Sequence, residues 1–434
     1  MEMVTTIIKR SERDEKRTTH NVFFRILFAI LSILVLIAFL RQAFSEYYAQ
    51  DLSKLNGRKI SYASLLTGED ARYYYLLGFL HYTAQDSPDP SKAIKYYLLS
   101  LKRNPTDGQV WLGLARAYRD SGMTAQAERA IRKSVYLDKN NPAITWEAGV
   151  FFLRQNEFSD AIQLFRRYIY MAPDDQENVY SLCFTLGVAP ETMITNLVPA
   201  DYRFYKRYLL FVMSNRLLGA SADAWRMLRK FSPGMSDYLQ YCDFLIREGE
   251  MKEAQSLWEE FQKRFAISAK RSADEMLWNG DFELPIENGG FDWKTGSSDG
   301  VRIFIDKDIH WSGFASLSVN FNGKSNPGIY IAQQVVPVNP GNKYRLSGYI
   351  RTHNITTLNG IIFEASAFLC DPFVKKTEPV TGTNLWKKID LEFTTPPKCK
   401  AVSIGIKREQ SDRFDNKISG DAWIDSLSMV PARN

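Results

Sequence analysis

The sequence predicts a multi-domain chain with a single transmembrane helix, an α-solenoid of helical hairpins and a C-terminal β-sandwich. Three observations predict these parts. The stretch from Val22 to Leu40 is apolar apart from Arg25. Small and aromatic residues then recur with a period of 34 residues, and from Leu277 onward the pattern changes to alternating strands between Gly, Asn, Asp and Pro. We divide the chain into a tail (1–21), a transmembrane helix (22–40), a linker (41–68), a solenoid (69–268) and a sandwich (276–434).

The apolar stretch is long enough to cross a hydrocarbon core of ~30 Å at ~1.5 Å per residue. Arg25 lies near one end, where its side chain can reach the headgroups. Five basic residues precede the stretch: Lys9, Arg10, Arg13, Lys16 and Arg17. Only Arg41 follows closely, so the basic bias predicts a bacterial inner-membrane protein with a cytoplasmic N-terminus and a periplasmic or extracytoplasmic bulk. A cleaved signal peptide stays open, because Ala43 and Ser45 are small and suitably spaced.

The charge and the cysteines exclude some classes of function. The formal net charge of +6 includes no dense basic block, so we expect no nucleic-acid partner. The four cysteines form no C-x2-C pair, which gives no support for a zinc site. In an oxidising compartment Cys370 and Cys399 could pair across the C-terminal domain. We expect Cys183 and Cys242 to be buried free thiols.

The middle of the chain repeats a pattern of residue sizes. With Gly108 as position 1, small residues occupy positions 8 and 20 and bulky ones positions 4, 7, 11 and 24. The first copy supplies Trp111, Leu114, Ala115, Tyr118, Ala127 and Ile131, and the next supplies Ala148, Gly149, Phe152, Ala161 and Phe165. Roughly 176 to 234 is helical but degenerate, with Gly219 to Ala224 keeping the five-residue turn spacing. The pattern resembles the tetratricopeptide repeat over about 70 to 268.

This resemblance implies a groove lined by the first helix of each hairpin. Positions 2, 5, 9, 12 and 13 of the repeat would face a protein partner there. They fall on Arg72, Tyr75, Phe79, Tyr82, Leu112, Arg116, Arg119, Trp146, Val150, Leu153 and Arg154. Aromatic and Arg side chains are enriched among interface anchors. The alternative is that several of these side chains only pack against neighbouring helices.

The C-terminal domain contains eight candidate strands, typical of a two-sheet sandwich. Its motifs run in the order "NGDFE", "GFDW", "HWSGFASLSV", "QQVVPVNPGNKYRLSGYIRT", "WKKIDLEFTTP" and "WIDSLSM". This order resembles jelly-roll carbohydrate-binding modules. The resemblance implies a structural calcium near the chain ends, which would bring Glu283 and Asp425 together with backbone carbonyls near Asp281 and Asp308. Without metal, the two acids would be surface groups or caps.

Sugar binding needs an exposed aromatic platform with hydrogen-bonding side chains on one sheet face. In "KYRLSGYIRT", Tyr344, Leu346 and Ile350 alternate with Arg345, Tyr349 and Arg351. We expect Tyr349 and Arg351 to be exposed beside Glu364 and Phe368 of the next strand. The alternative is a solvated face with scattered aromatics. Trp293, Trp386 and Trp423 are expected to lie mostly in the core.

The sequence favours binding over catalysis. Its four histidines form no HExxH pair, and it has neither a G-x-S-x-G elbow nor a G-x-G-x-x-G loop. We expect a membrane-anchored envelope adaptor that is not an enzyme and needs no cofactor beyond the calcium. Its groove would bind a protein and its sandwich a glycan, in surface polysaccharide assembly or export. The alternatives are a purely structural scaffold without sugar binding, and an accessory part of a glycan-processing enzyme.

Overall fold

The computed structural model describes residues 26–40, 43, 70–84, 87–268, 272–414 and 416–432. Residues 26–40 are helical. The predicted tail, the first four residues of the predicted span and the predicted linker, apart from residue 43, lie outside the described residues. Across the described ranges, no helix combines the length and the apolarity needed to cross a membrane. The chain divides into two compact units, Met1–Pro199 and Ala200–Asn434.

The first unit consists of helical hairpins. Its helices are α1 (Ala71–Thr83), α2 (Pro90–Arg103), α3 (Gly108–Asp120), α4 (Thr124–Leu137), α5 (Pro142–Arg154), α6 (Phe158–Met171) and α7 (Gln176–Thr185). A short helix, Pro190–Thr192, then continues into a π-helix, Met193–Leu197. The side chains of Asp70, Asp89, Asp107 and Asn141 accept first-turn amide hydrogens at the starts of α1, α2, α3 and α5. These caps explain why the helices begin where they do.

The seam between paired helices follows the predicted size pattern. Ala93, Ala127 and Ala161 at position 20 are fully buried. Position 8 needs a small residue as well, because a Cβ on Gly149 would lie 2.7 Å from the Phe165 ring. An equivalent hydrogen bond ties the first two pairs, since Ser100 Oγ donates to the Ala71 carbonyl and Ser134 Oγ to the Gly108 carbonyl, both at 2.7 Å. The predicted close approach of the two helices is therefore confirmed in this unit.

Gly149→Ala is expected to lower the free energy of unfolding by about 1–2 kcal/mol. Overpacking a core costs about 1–3 kcal/mol, and the better helix propensity of Ala offsets less than about 1 kcal/mol of that. Gly219→Ala is the matched control, because a Cβ there meets nothing within 4 Å. We expect the control to be neutral or slightly stabilising in chemical denaturation. Equal shifts for the two variants would show that the contact with Phe165 does not decide the effect.

The helical part of the second unit has two hairpins that follow the same repeat pattern. They are α8 (Tyr202–Ser214) with α9 (Leu218–Leu228), and α10 (Met235–Glu248) with α11 (Met251–Phe265). The prediction that Gly219 to Ala224 keeps the turn spacing is wrong. The turn residue at position 15 is Arg216, whose φ is 55°, matching 74° at Gly122, 62° at Asn156 and 83° at Gly249. A non-glycine residue in the left-handed region hid this repeat from the sequence pattern.

The rest of the second unit is the predicted sandwich. Its strands are β1 (Lys294–Thr295), β2 (Val301–Asp306), β3 (Ser316–Asn322), β4 (Ile329–Pro337), β5 (Lys343–Ile355), β6 (Ile361–Phe368), β7 (Val374–Lys376), β8 (Gly382–Thr394), β9 (Ala401–Arg408) and β10 (Ser419–Pro431). Sheet A has the order β1-β4-β9-β6-β7 and sheet B the order β2-β3-β10-β5-β8. From β3 onward the pairing is nested, with β3 on β10, β4 on β9, β5 on β8 and β6 on β7. This nesting is the jelly-roll topology, so the predicted fold is confirmed by strand order alone.

The core of the sandwich confirms the predicted alternation on β5. Tyr344, Leu346 and Ile350 are buried, whereas Arg345, Tyr349 and Arg351 lie on the other face. Trp293 is fully buried in the same core, as predicted. The predicted disulfide joins Cys370 to Cys399. Cys183 and Cys242 are buried free thiols, also as predicted.

Candidate functional site

The outer face of sheet B carries a row of side chains across four strands. Cross-strand pairing places Phe304 of β2 beside Ser318 of β3, Ser318 beside Trp423 of β10, and Trp423 beside Arg351 of β5. The Arg351 guanidinium lies 5.6 Å from the Trp423 ring centre. Neighbouring residues on these strands point into the core, so this row faces away from it.

Three aromatic rings form a platform on the same face. Trp311, in the loop between β2 and β3, stacks on Tyr349 with ring centres 4.2 Å apart and planes 16° apart. Trp386 of β8 lies 6.4 Å from Trp311. Trp311 keeps 47% of its surface exposed. We call Trp311, Tyr349 and Trp386 the aromatic platform.

Two carboxylates, those of Asp425 and Glu283, accept hydrogen bonds from the loop that carries Trp311. Asp425 Oδ2 accepts the Trp311 and Ser312 amide hydrogens at 2.6 and 2.9 Å. Glu283 Oε1 accepts those of Phe314 and Ala315 at 2.7 and 3.2 Å. Burial raises the pKa of Asp425, and its amide donors oppose that rise. The two acids predicted to meet thus converge on one loop.

The hydrogen-bond donors around Asp425 indicate whether its carboxylate has oxygens left for the predicted calcium ion. Every described hydrogen bond to Asp425 comes from an N–H or O–H group, and Ser426 supplies both kinds to Oδ1. Within the described residues, no three His, Cys, Asp or Glu side chains are placed to hold a metal ion. This donor set does not fit a calcium cage, because its N–H groups occupy the oxygens that a cation needs. Calcium binding stays a prediction, and a calcium-dependent rise in melting temperature would be its sign.

The prediction that Glu364 and Phe368 share a patch with Tyr349 and Arg351 is wrong. β5 lies in sheet B, whereas β6, which carries Glu364 and Phe368, lies in sheet A. The jelly-roll connection crosses between the sheets, so consecutive strands point their outer faces in opposite directions. Glu364 is buried at 2% exposure, accepts a hydrogen bond from Tyr330, and pairs with Lys407 Nζ at 2.8 Å.

Two tryptophans predicted to lie in the core belong to the outer face of sheet B instead. Trp386 is only partly buried and sits in an irregularity of β8, where the register with β5 shifts between Ile350 and Thr352. Trp423 is 9% exposed but points outward, and its indole N–H donates to Asp306 at 2.8 Å. Hydrophobicity alone cannot tell a core tryptophan from one that lies flat on a sheet.

In the second unit, the outer face of sheet A and the helices α8 and α10 line an open pocket of about 600 Å³. The helices supply Leu210, Met213, Asp243 and Ile246, which hold repeat positions 9 and 12. Phe368 lines the same pocket from the sandwich. Asp243 binds Lys294 Nζ at 2.7 Å and the Gly290 amide at 2.8 Å. In this unit the chain's own sandwich therefore faces the positions that a groove would offer to a partner, and Leu210 keeps 36% of its surface exposed.

In the first unit, side chains of the first helix of each hairpin contact one another across neighbouring hairpins. Arg116 of α3 pairs with Glu147 of α5 at 2.9 Å. Tyr82 of α1 donates to Asp120 of α3 at 2.7 Å, and Arg119 lies 3.4 Å from the same hydroxyl. We call this side of α1, α3 and α5 the first-helix surface. Burial, followed by the hydrogen bond to Asp120, raises the pKa of Tyr82.

The other residues predicted to face a partner differ in how much of their surface is exposed. Arg72 and Arg154 are exposed, and Tyr75, Phe79, Trp146 and Val150 are half-buried. Leu112 and Leu153 are each only 2% exposed, so the prediction that they face a partner is wrong. Both pack into the interior of the hairpins, as the alternative reading allowed.

Sequence reasoning missed Trp311 and Trp386 as members of a site. The signal for Trp311 was present, because "HWSGF" places an aromatic residue directly beside two turn residues. A tryptophan in a turn is more exposed than one within a strand. The turn position at Arg216 would likewise have assigned Leu210 and Met213 to positions 9 and 12.

Comparisons with known proteins cover parts of the chain. Residues 112–176 match the model of the tetratricopeptide repeat. No curated protein matches the sequence. Among solved structures, a family 4 carbohydrate-binding module (CBM4) is 17% identical, with 36% of this chain and 99% of that chain covered and a TM-score of 0.27.

Two further structures show the same level of similarity. The CBM22-1 xylan-binding domain of Paenibacillus barcinonensis Xyn10C is 14% identical, covering 38% of this chain and 99% of that chain, with a TM-score of 0.26. MamA is 14% identical, covering 40% of this chain and 83% of that chain, with a TM-score of 0.26. Scores this low carry no argument, so the fold rests on the strand order and hairpin geometry above.

Proposed function

We propose that this chain is a binding scaffold whose sandwich holds a glycan on the outer face of sheet B. The observation that supports this most is the aromatic platform of Trp311, Tyr349 and Trp386. A pyranose ring has an apolar C–H face and a rim of hydroxyls. A flat exposed indole suits the first, and nearby polar side chains suit the second. An exposed cluster of this kind favours glycan binding over a purely structural scaffold.

A glycan array probed with the full chain tests this proposal. We expect saturable binding that Trp311→Ala weakens at least tenfold, because the variant removes the exposed ring of the platform. Tyr136→Ala is the control, since Tyr136 is an even more accessible aromatic, 66% exposed, on helix α4. Undiminished binding by Trp311→Ala would place the glycan elsewhere, and no binding to any glycan would leave the structural scaffold.

We also propose that the first-helix surface binds a partner protein. Aromatic and Arg side chains lie side by side there, and cross-helix bonds from Arg116 and Tyr82 hold them in place. Such pre-ordered aromatic and Arg groups are typical anchors. The sandwich in the second unit faces the equivalent positions of α8 and α10 across a pocket, which supports assigning the partner to α1, α3 and α5.

A photo-crosslinking amino acid placed at Phe79 tests the partner surface in cells. We expect one dominant crosslinked protein from position 79 and none from position 136 on α4, which serves as the control. Crosslinks from position 136 but not from position 79 would contradict the assignment to the first helices.

The wider setting is also a proposal. Residues 22–40 would anchor the chain in a bacterial inner membrane, with the bulk outside the cytoplasm and a role in surface polysaccharide assembly or export. The Cys370–Cys399 disulfide supports this setting, because structural disulfides persist in oxidising compartments. Deleting the gene would then change surface polysaccharide, and an unchanged polysaccharide would rule this role out. We propose binding without catalysis, on the strength of the two surfaces described.

A further inference from the structure

We propose that the glycan on sheet B is acidic, a polymer of sugar units that carry carboxylates. This inference rests on the proposed function and adds the charge of its ligand. It depends on how hydrogen-bond donors and acceptors are distributed over the outer face of sheet B.

Two guanidinium groups on this face lie over aromatic rings. Arg302 lies 4.8 Å from the centre of the Phe304 ring, and Arg351 lies 5.6 Å from that of Trp423. Stacking on an aromatic face fixes a guanidinium while leaving its N–H edge for other partners. Among the described residues, neither the Arg302 nor the Arg351 guanidinium takes part in an ion pair or a hydrogen bond; both residues bond through the backbone only, within their sheet. Their donor groups are therefore available to a ligand.

The acids near these cations already have partners. Asp306 accepts the Trp423 indole N–H at 2.8 Å and the Asp308 amide at 2.9 Å. Asp421 accepts from Asn320 at 2.7 Å. Asp425 is used by the Trp311 loop, as described above. Each of these three acids therefore has at least one oxygen engaged, and the second oxygen of Asp421 lies 3.9 Å from His353 Nδ1.

The acids of the neighbouring edge strand β8 are paired as well. Asp390 lies 3.4 Å from Lys388 Nζ, and Glu392 lies 2.6 Å from Lys343 Nζ. On this face the guanidinium donors of Arg302 and Arg351 therefore have no partner among the described residues, whereas each of these acids already accepts a hydrogen bond or pairs with a lysine. A neutral sugar needs both donors and acceptors, whereas a carboxylate needs donors only.

The spacing of the cation from the platform suits one sugar unit. Arg351 and Tyr349 are two residues apart on β5, and such side chains on one strand face are about 7 Å apart. A pyranose stacked on Trp311 could direct a ring carboxylate toward Arg351. The planar guanidinium matches a carboxylate with two parallel hydrogen bonds, which a hydroxyl cannot reproduce.

Matched polymers test the inference with the full chain. The probes are polygalacturonate and alginate, each compared with its carboxyl-reduced, neutral counterpart. We expect at least tenfold tighter binding of one acidic polymer over its neutral form at low salt, with the preference shrinking as salt is raised. Arg351→Gln combined with Arg302→Gln should remove the preference, because it weakens the binding of the acidic polymer at least tenfold more than that of its neutral form.

Control variants separate the possible outcomes. Lys375→Gln changes one charge on exposed β7 of sheet A and should leave the preference intact. An equal loss with Lys375→Gln would show a net-charge effect and overturn the site. Equal binding of acidic and neutral polymers, both lost with Trp311→Ala, would overturn the acidic preference while the proposed glycan function stands. Binding of neither polymer, together with an empty glycan array, would overturn both.

Discussion

Replacing Asp425 by alanine is expected to destabilise the sandwich by about 2–4 kcal/mol and to abolish binding at the aromatic platform. Asp425 is fully buried and accepts the amide hydrogens of Trp311, Ser312 and Ser426. Losing the acceptor of a fully buried donor costs about 1–3 kcal/mol, and the cost is lower for each of these three part-buried donors. The loop would no longer hold Trp311 against Tyr349. The effect on binding is indirect, since Asp425 itself is covered.

Chemical denaturation and glycan binding measure the two effects together. Asp421→Ala is the matched control on the same strand, because its side chain is half-buried and bonds to the Asn320 side chain. We expect the control to cost less than about 1 kcal/mol and to leave Trp311 in place. An Asp425→Ala variant as stable as the parent, with tryptophan fluorescence unchanged, would show that the loop is held by other contacts.

Asp292→Asn is expected to stabilise the second unit at pH 8 and not at pH 4. Asp292 is only 1% exposed, and burial raises its pKa to about 7, although the Glu287 and Trp293 amides oppose the rise. A carboxyl whose folded pKa lies above its unfolded value favours the folded state most at low pH. That contribution is lost as pH rises from about 4 to about 7, because the native chain must then bury a charge.

The size of this effect follows from the pKa difference. One pKa unit corresponds to about 1.4 kcal/mol, so the gain at pH 8 has an upper bound of about 4 kcal/mol. Melting temperatures of parent and variant across pH 4 to 8 measure it. Asp299→Asn, at an exposed residue, serves as the control and should change little at either pH. A gap between parent and Asp292→Asn that stays constant from pH 4 to pH 8 would contradict a titrating Asp292.

The periodicity of the sequence predicts the hairpins and the strands well, because it reports directly on which side chains are buried. Position 20 alanines and the alternation of Tyr344 with Tyr349 are examples. The sequence pattern did not predict the turn at Arg216, because a non-glycine residue adopts a left-handed conformation there. Local patterns carry little information about such strained turns.

The candidate site was predicted in part, and the limit has a physical origin. Alternation predicts which face of its own strand Tyr349 and Glu364 each occupy. It does not predict which sheet that strand joins. That choice depends on long-range pairing, and here it sends Glu364 to sheet A and into an ion pair with Lys407. The approach of Trp311 to Tyr349 depends on loop bonds to Asp425 from residues more than a hundred positions away.

Footprinting of the full chain with its bound glycan tests the central claim most directly. Hydroxyl radicals oxidise exposed tryptophans, and mass spectrometry reads the extent at each one. We predict that glycan protects Trp311 and Trp386, while Trp111 and Trp146 of the repeats are oxidised as before. Protection confined to Phe368, Leu210 and Met213 around the pocket at sheet A, with Trp311 still oxidised, would contradict the assignment of the glycan to sheet B.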